Sequence, residues 1–477
     1  MCGIVVVYSV NGDTSRTIPM AIGASKYVKH RGQQGAGVCV ITPEGTVMHH
    51  SGVGAFDAVI KPTDIEKMGR DHRLAMVQCR WGTYGGYHEN NVQPIVVNSS
   101  NDIPVCVVHN GQFILMPDLL SQRDLTDDIE SDTLLFARLL ARYSGNDWDS
   151  HVVSVLSKTL GAYSLAISIH DVLFLTRDSY GVRPLYLGSL DGAYIAASET
   201  QAITAIGGTI IREIGCGEIL KIDTSGLHVL VKGNGHQRHV CEFESAYLCR
   251  PDSMMQSFNG NRSLFHARFR FELGEAVALE SPVKHAKMVV GVPDSGMFFA
   301  KGFSKECGVS DVMALLRERD SSSRLFMDDE FLGTISGKVL SKLSLIPDPE
   351  LWEDSVVVFC DDSLVRANVS RALTKAAFDL GALEVHWRLS FPWIKHPCPF
   401  GINTRTYAEL IAAQFADEDT ERLVAKHIGA TSVRYISPEG FLRVLLGGTI
   451  VIPQDPEMIF IANGGCGYCV TGKSPMG

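Results

Sequence analysis

The sequence predicts two α/β bodies in tandem, a sheet-rich α+β body followed by a doubly wound α/β body. Three observations carry this. The chain has 477 residues, too many for one ordinary core. Its apolar segments change spacing about half-way along. The punctuated stretch Gly233-Asn234-Gly235-His236, where periodicity stops, separates the two patterns. The expected domains are therefore 2–235 and 236–477.

In the first half, short apolar runs read as strands: Ile4–Tyr8, Gly37–Ile41, Ala75–Cys79, Val105–His109, Leu165–Ser168, Val172–Thr176 and Ile219–Ile222. Helices are expected at Met20–Val28 and at Ser131–Tyr143, where a serine opens an apolar pattern of three-to-four spacing. In the second half, Val289–Val292, Val312–Leu316, Ser355–Cys360 and Val385–Leu389 are brief strands of a parallel sheet. They alternate with helices such as Ser263–Leu279 and Ser370–Leu380. In that pattern ligands bind beyond the carboxyl ends of the strands.

Bulk properties narrow the function. Apolar residues make up 45% and charged residues 20% of the chain, as in an ordinary globular protein. A net charge of −10 argues against a nucleic-acid partner, which needs a basic surface. No run of ~18 apolar residues spans a membrane, and no basic stretch with an apolar core marks a signal peptide, so a cytoplasmic location is expected. Twelve cysteines are scattered and not framed as a disulfide scaffold.

The start Met1-Cys2-Gly3-Ile4 is the first chemical signal. Removal of Met1 leaves Cys2 with a thiol and an α-amine of pKa ~8, and that amine can serve as the base for its own side chain. Polar clusters fall at the ends of the predicted strands: His30-Arg31-Gly32-Gln33-Gln34-Gly35, Arg80-Trp81-Gly82-Thr83-Tyr84-Gly85, His109-Asn110-Gly111 and Ser131-Asp132. Each taken singly is also a turn, a solvated arginine, a tight corner or a helix cap.

Together, and with Gly161-Ala162-Tyr163-Ser164-Leu165, Arg177-Asp178-Ser179-Tyr180-Gly181-Val182-Arg183-Pro184-Leu185, Ala196-Ala197-Ser198-Glu199 and Gly217-Glu218-Ile219, they resemble class II glutamine amidotransferases. The closest likeness is to the glutamine phosphoribosylpyrophosphate amidotransferase family, iron–sulfur branch. The resemblance implies an N-terminal-nucleophile αββα sandwich followed by a type I phosphoribosyltransferase-like domain. It implies that Cys2 attacks the glutamine amide, that Asn110 and the Gly111 N–H form the oxyanion hole, and that Arg80 holds the α-carboxylate. Asp132 takes the α-ammonium, and Thr83 and Trp81 wall the pocket. Trp81 stands where this family more often has tyrosine.

Ser355-Val356-Val357-Val358-Phe359-Cys360-Asp361-Asp362-Ser363-Leu364-Val365-Arg366 reads as a buried strand ending in two carboxylates. It leads through Ala367-Asn368-Val369-Ser370 into a helix, a natural cradle for phosphate. This stretch resembles the family's phosphoribosylpyrophosphate motif, and Val292-Pro293-Asp294-Ser295-Gly296 resembles its second ligand loop. By that likeness Asp294, Ser295, Asp361, Asp362, Ser363, Arg366, Asn368, Ser370 and Lys342 face the acceptor, and Ser295, Asp361 and Asp362 hold Mg²⁺. The chain departs from the family at Ala367-Asn368-Val369, where Gly-Thr-Thr is usual, in the acidic Glu318–Phe326 loop, and at Leu340, where an arginine is expected. Cys466-Gly467-Tyr468-Cys469 alone fits a redox pair, zinc or an iron–sulfur group. With Cys241 and Cys398 it fills the family's four 4Fe–4S positions, with tetrahedral zinc as the alternative.

The resemblance thus implies glutamine hydrolysis coupled to amination of phosphoribosylpyrophosphate, in a homo-oligomer. The altered phosphate loop leaves open a different phosphorylated acceptor, or an ammonia-supplying subunit with a non-catalytic second domain.

Overall fold

The computed structural model describes residues 1–82, 88–115, 131–233, 235–255, 263–317 and 342–476. The chain forms two compact units. Residues 1–241, 398–403 and 475–477 make the first, and 242–397 and 404–474 the second.

The first unit contains β1 (Gly3–Ser9), β2 (Gly35–Ile41), β3 (Val47–Val53), β4 (Leu74–Arg80), β5 (Ile95–Asn98), β6 (Pro104–Leu115), β7 (Leu160–Ile169), β8 (Val172–Arg177), β9 (Tyr186–Leu190), β10 (Ala193–Ala197), β11 (Thr209–Glu213), β12 (Glu218–Asp223) and β13 (Gly226–Lys232). They form a seven-stranded sheet in the order β11-β9-β10-β1-β4-β2-β3 and a six-stranded sheet in the order β13-β12-β8-β7-β6-β5. Residue parity explains the layers, because alternate side chains of a strand point to opposite faces. Ile4, Val6 and Tyr8 of β1 pack against Cys106, Val108, Leu173 and Leu220 of the other sheet. Val5 and Val7 point outward, into a cluster with Ile18, Ala21 and Ala24 of helix Thr17–Ser25. On the far side, Val105, Val107 and Ile167 pack against Phe136 and Leu140 of helix Asp132–Ala141 and Val152 of helix Trp148–Ser157. The layering is α-β-β-α. β1 is buried on both faces, which is why it reads as a continuous apolar run.

The second unit has β14 (Met254–Met255), β15 (Leu264–Phe265), β16 (Met288–Gly291), β17 (Leu315–Arg317), β18 (Leu343–Leu345), β19 (Val356–Asp361), β20 (Glu384–Leu389) and β21 (Ser432–Tyr435). A parallel sheet runs β16-β19-β20-β21. Helices His266–Glu280, Gly296–Cys307 and Asn368–Asp379 supply the crossovers expected of a doubly wound fold. Trp352, Phe359 and Trp387 fill the core, with the Phe359 and Trp387 rings stacked at 5.0 Å.

Two elements differ from the sequence reading. Val312–Leu316 is not a strand of the parallel sheet. One bridge joins Val289 to Asp311, and Leu315–Arg317 instead pairs antiparallel with Leu343–Leu345. The run lacks the two-sided burial such a strand needs, since Met313 is 64% and Leu316 47% exposed. The first helix spans Thr17–Ser25, earlier than Met20–Val28. Pro19 sits in its first turn, where its missing N–H costs nothing.

Candidate active site

Cys2 is held by what surrounds the start of β1. Gly3 pairs with Cys79 of β4, and the Ile4 N–H donates to Ser198 Oγ at 3.0 Å. Met1 and Cys2 are both buried. The Cys2 backbone nitrogen donates to Asn110 Oδ1 at 2.8 Å, and Cys2 Sγ lies 3.8 Å from the carbonyl oxygen of Trp81. Arg31 Nε donates to the Cys2 carbonyl at 3.1 Å. Arg31 is fully buried and pairs with buried Glu199 at 2.7 Å, and His30 Nε2 meets the same carboxylate oxygen at 2.8 Å.

Asn110 and Gly111 lie in β6, opposite Ser164 and Tyr163 of β7. Gly111 has φ +138°, and a Cβ there would stand 1.9 Å from the Ala162 carbonyl oxygen, so glycine is required. Asn110 Nδ2 is buried without a hydrogen-bond partner among the described residues. An orphaned buried donor costs about 1–3 kcal/mol, and a developing oxyanion is the kind of acceptor that would satisfy it.

Polar side chains brace this segment from behind. The His109 N–H donates to Gln93 Oε1 at 2.6 Å, its carbonyl accepts from Gln78 Nε2 at 3.0 Å, and its Nδ1 meets Thr133 Oγ1 at 3.0 Å. Burial holds the His109 imidazole below its ordinary pKa, so the ring is neutral at pH 7. Asp132 opens the helix that Ser131 caps, and it accepts from the Phe113 N–H at 3.1 Å and the Thr133 N–H at 2.8 Å. Its carboxylate is thereby tied to the same strand as Asn110. Arg80 is buried at the end of β4, opposite Gly35. Trp81 follows it, half-buried, and the Gly82 N–H donates to Gln34 Oε1 at 2.7 Å. Thr83 lies outside the described residues.

Sequence reasoning assigned no role to Arg31, Glu199, Gln78, Gln93 or Arg183. Their signal was a polar residue inside an otherwise apolar strand or turn, as at Gln78 in Leu74–Arg80.

In the second unit the carboxylates meet at the end of β19. The Asp362 N–H donates to Asp361 Oδ1 at 2.9 Å, and Ser295 Oγ and Ser363 Oγ donate to the two Asp362 oxygens, each at 2.5 Å. Burial, and then the neighbouring Asp362 charge, push the Asp361 carboxyl well above the usual range. Two such carboxylates beside a hydroxyl fit Mg²⁺, which takes one or two protein carboxylates and completes its shell with water and phosphate. Asp294 pairs with Arg317. Lys342 is pushed below its ordinary pKa, by burial first and then by the Arg317 charge.

The helix Asn368–Asp379 starts from Ala367 at φ +59° and ψ 8°, a left-handed conformation that suits glycine. Ser370 Oγ turns back to the Ala367 carbonyl at 3.1 Å, and Arg366 is engaged by Glu409. The departures at 366–370 therefore have a structural counterpart. The Glu318–Phe326 loop and Leu340 lie outside the described residues.

Cys241 and Cys398 belong to the first unit and Cys466 and Cys469 to the second, and none is in a disulfide. Among the described residues no group of three or more His, Cys, Asp or Glu side chains is placed to hold a metal ion. A four-thiolate group is therefore not displayed, and no step is derived through one.

Comparison with known proteins gives consistent findings. A glutamine amidotransferase domain model matches residues 86–205. The chain is 33% identical to the amidophosphoribosyltransferase of Synechococcus elongatus, over 92% of this chain and 87% of that protein. It is 30% identical to that of Archaeoglobus fulgidus, over 100% and 98%. The solved glutamine phosphoribosylpyrophosphate amidotransferase of B. subtilis, complexed with ADP and GMP, superposes with a TM-score of 0.83 at 29% identity, covering 99% of this chain and 97% of that one. A structure described as the allosteric regulatory enzyme of purine biosynthesis gives 0.84 at 30% identity, over 99% and 96%.

Proposed function

The chain belongs to the amidophosphoribosyltransferase family, and from that membership we propose how its residues carry out the reaction. It is a glutamine-dependent amidotransferase. Glutamine is hydrolysed to glutamate and ammonia, and the ammonia displaces pyrophosphate from phosphoribosylpyrophosphate to give 5-phosphoribosylamine, a step of purine biosynthesis.

Once Met1 is removed, the nitrogen that meets Asn110 Oδ1 at 2.8 Å is an α-amine. It takes the proton of the Cys2 thiol as sulfur attacks the glutamine amide carbon. Asn110 Nδ2 and the Gly111 N–H stabilise the oxyanion, at roughly 3–4 kcal/mol for a donor of this kind. The amine returns the proton to the departing ammonia, and water then hydrolyses the thioester to glutamate. Arg80 pairs with the substrate carboxylate as a bidentate donor, Asp132 with its ammonium, and Trp81 and Thr83 complete the pocket. The observation that carries this reading is the buried, unpartnered Asn110 Nδ2 beside the Cys2 nitrogen.

In the second unit, Mg²⁺ on Asp361, Asp362 and Ser295 supplies charge neutralisation for the pyrophosphate leaving group. Asp294, Ser363, Asn368, Ser370, Arg366 and Lys342 orient the acceptor. A second reading, a different phosphorylated acceptor, is favoured by Ala367 at positive φ and by Arg366 held on Glu409. The two are separated by measuring glutamate and pyrophosphate release with and without phosphoribosylpyrophosphate. The first reading expects one pyrophosphate per glutamate. Glutamine turnover without pyrophosphate rejects it, and a gain of binding on restoring Gly-Thr-Thr at 367–369 supports the second.

The finer assignments are also proposals. Domain limits of 2–235 and 236–477 rest on the change in strand pattern at Gly233–His236. A 4Fe–4S cluster on Cys241, Cys398, Cys466 and Cys469, with zinc as the alternative, rests on donor chemistry alone. Iron, sulfide and zinc analysis of the purified protein decides between them. Among the described residues no helix is long and apolar enough to cross a membrane. That is compatible with a cytoplasmic enzyme. Light scattering tests the homo-oligomer.

A further inference from the structure

Residues 398–403, from the second half of the chain, are part of the first unit. Two contacts fix this segment there. Arg183, fully buried, donates to the Phe400 carbonyl oxygen through Nη2 at 2.6 Å and Nε at 3.2 Å. Gly401, at φ +102°, approaches Gly111 so closely that a Cβ on it would stand 3.0 Å from both the carbonyl carbon and oxygen of Gly111 and 3.2 Å from its Cα. Gly111 is clamped on its other side by Ala162, whose carbonyl oxygen is 1.9 Å from the place its own Cβ would take. The glycine that offers the oxyanion N–H thus lies between β7 and a segment remote in sequence. Its peptide plane is set by both.

We propose that Gly401 and Arg183 are positioning residues for the oxyanion hole. Arg183 fixes the Phe400 carbonyl, and the bare Cα of Gly401 lets that segment back the Gly111 peptide at the height the transition state needs. This rests on the reading of Gly111 as an oxyanion donor. Neither residue touches the substrate, and both act through Gly111. A Cβ at 401 must push the Gly111 peptide by some tenths of an ångström or displace the segment. Small misplacements at a catalytic centre are costly in rate, about 10²-fold for 1 Å.

The test uses full-length protein with Met1 removed, and compares Gly401→Ala and Arg183→Lys with wild type and Cys2→Ala. Three quantities are read: kcat and KM for glutamine, and the rate at which iodoacetamide alkylates Cys2. Alkylation displaces iodide from carbon and needs no oxyanion hole, so it reports the nucleophile alone. The expected result for Gly401→Ala is a kcat lowered roughly 10- to 100-fold, with KM and the alkylation rate each within about twofold of wild type. Arg183→Lys, which keeps the charge and loses the fork, falls between. Unchanged kcat in both variants overturns the inference. So does a parallel loss of kcat, alkylation and thermal stability, which marks a merely structural contact. A wild type that hydrolyses glutamine while Cys2→Ala does not keeps the underlying reading intact in either case, and a wild type without glutaminase activity overturns both.

Discussion

Asn110 uses its side chain twice, with Oδ1 accepting from the Cys2 nitrogen and Nδ2 buried and awaiting an acceptor. Asn110→Ala should therefore lower glutaminase kcat by about 10²–10³ while changing KM little, because the lost bond forms in the transition state. Steady-state kinetics of a variant that melts near wild type checks this. With Met1 retained, the Cys2 nitrogen is a peptide amide and cannot take a proton, so a form blocked in methionine removal should have no measurable turnover. Intact-mass analysis beside the assay reads both at once. In the second unit Ala367 holds a left-handed conformation that costs a non-glycine residue about 1–2 kcal/mol. Ala367→Gly should raise stability by about 1 kcal/mol, less the added entropy of the unfolded chain, as read from the denaturant midpoint.

At the level of elements, β1 and β6 carry the first site, and each depends on exact contact with a neighbour. Arg31 and Glu199 are an ion pair with almost no exposure that ties the turn after the first helix to the end of β10 and to the Cys2 carbonyl. Removing one partner leaves an uncompensated buried charge. Glu199→Ala should cost about 3–5 kcal/mol, measured by urea unfolding, whereas Lys29 and Asp57, an exposed pair, should contribute at most about 1 kcal/mol. In the second unit, β19 ends in Asp361 and Asp362, and the turn after it leads directly into helix Asn368–Asp379. The strand therefore delivers the carboxylates and the helix N-terminus to the same side of the sheet, as parallel α/β topology requires.

Across the whole molecule, burial is the first cause holding His49, His72, His109, His151 and His386 below their ordinary pKa. A histidine depressed in the folded state binds fewer protons than the unfolded chain below about pH 6.5. Stability should therefore be fully present above that pH and be lost as pH falls from ~6.5 through the lowered folded values. Thermal melts from pH 7.5 to 5.5 check the direction, and His109→Gln should flatten part of the slope. A slope of opposite sign rejects the assignment.

What the sequence by itself determined was local. The apolar runs of β1, β4, β6 and β19 were legible because a strand buried on both faces must be apolar throughout. The two-body fold class followed from how those runs are spaced, and Cys2, Arg80, Asn110 and Asp132 stood out because polar residues close apolar strands. Only the tertiary structure decided which distant groups meet. It brought Arg31 to Glu199, Gln93 to His109, and Gly401 to Gly111, pairs that no periodicity links. It also turned Val312–Leu316 out of the parallel sheet, because an apolar run signals burial but not the partner that supplies it. Hydrophobic patterning fixes a face, whereas a hydrogen bond or a close glycine contact depends on two chain positions at once, and that relation exists only after folding.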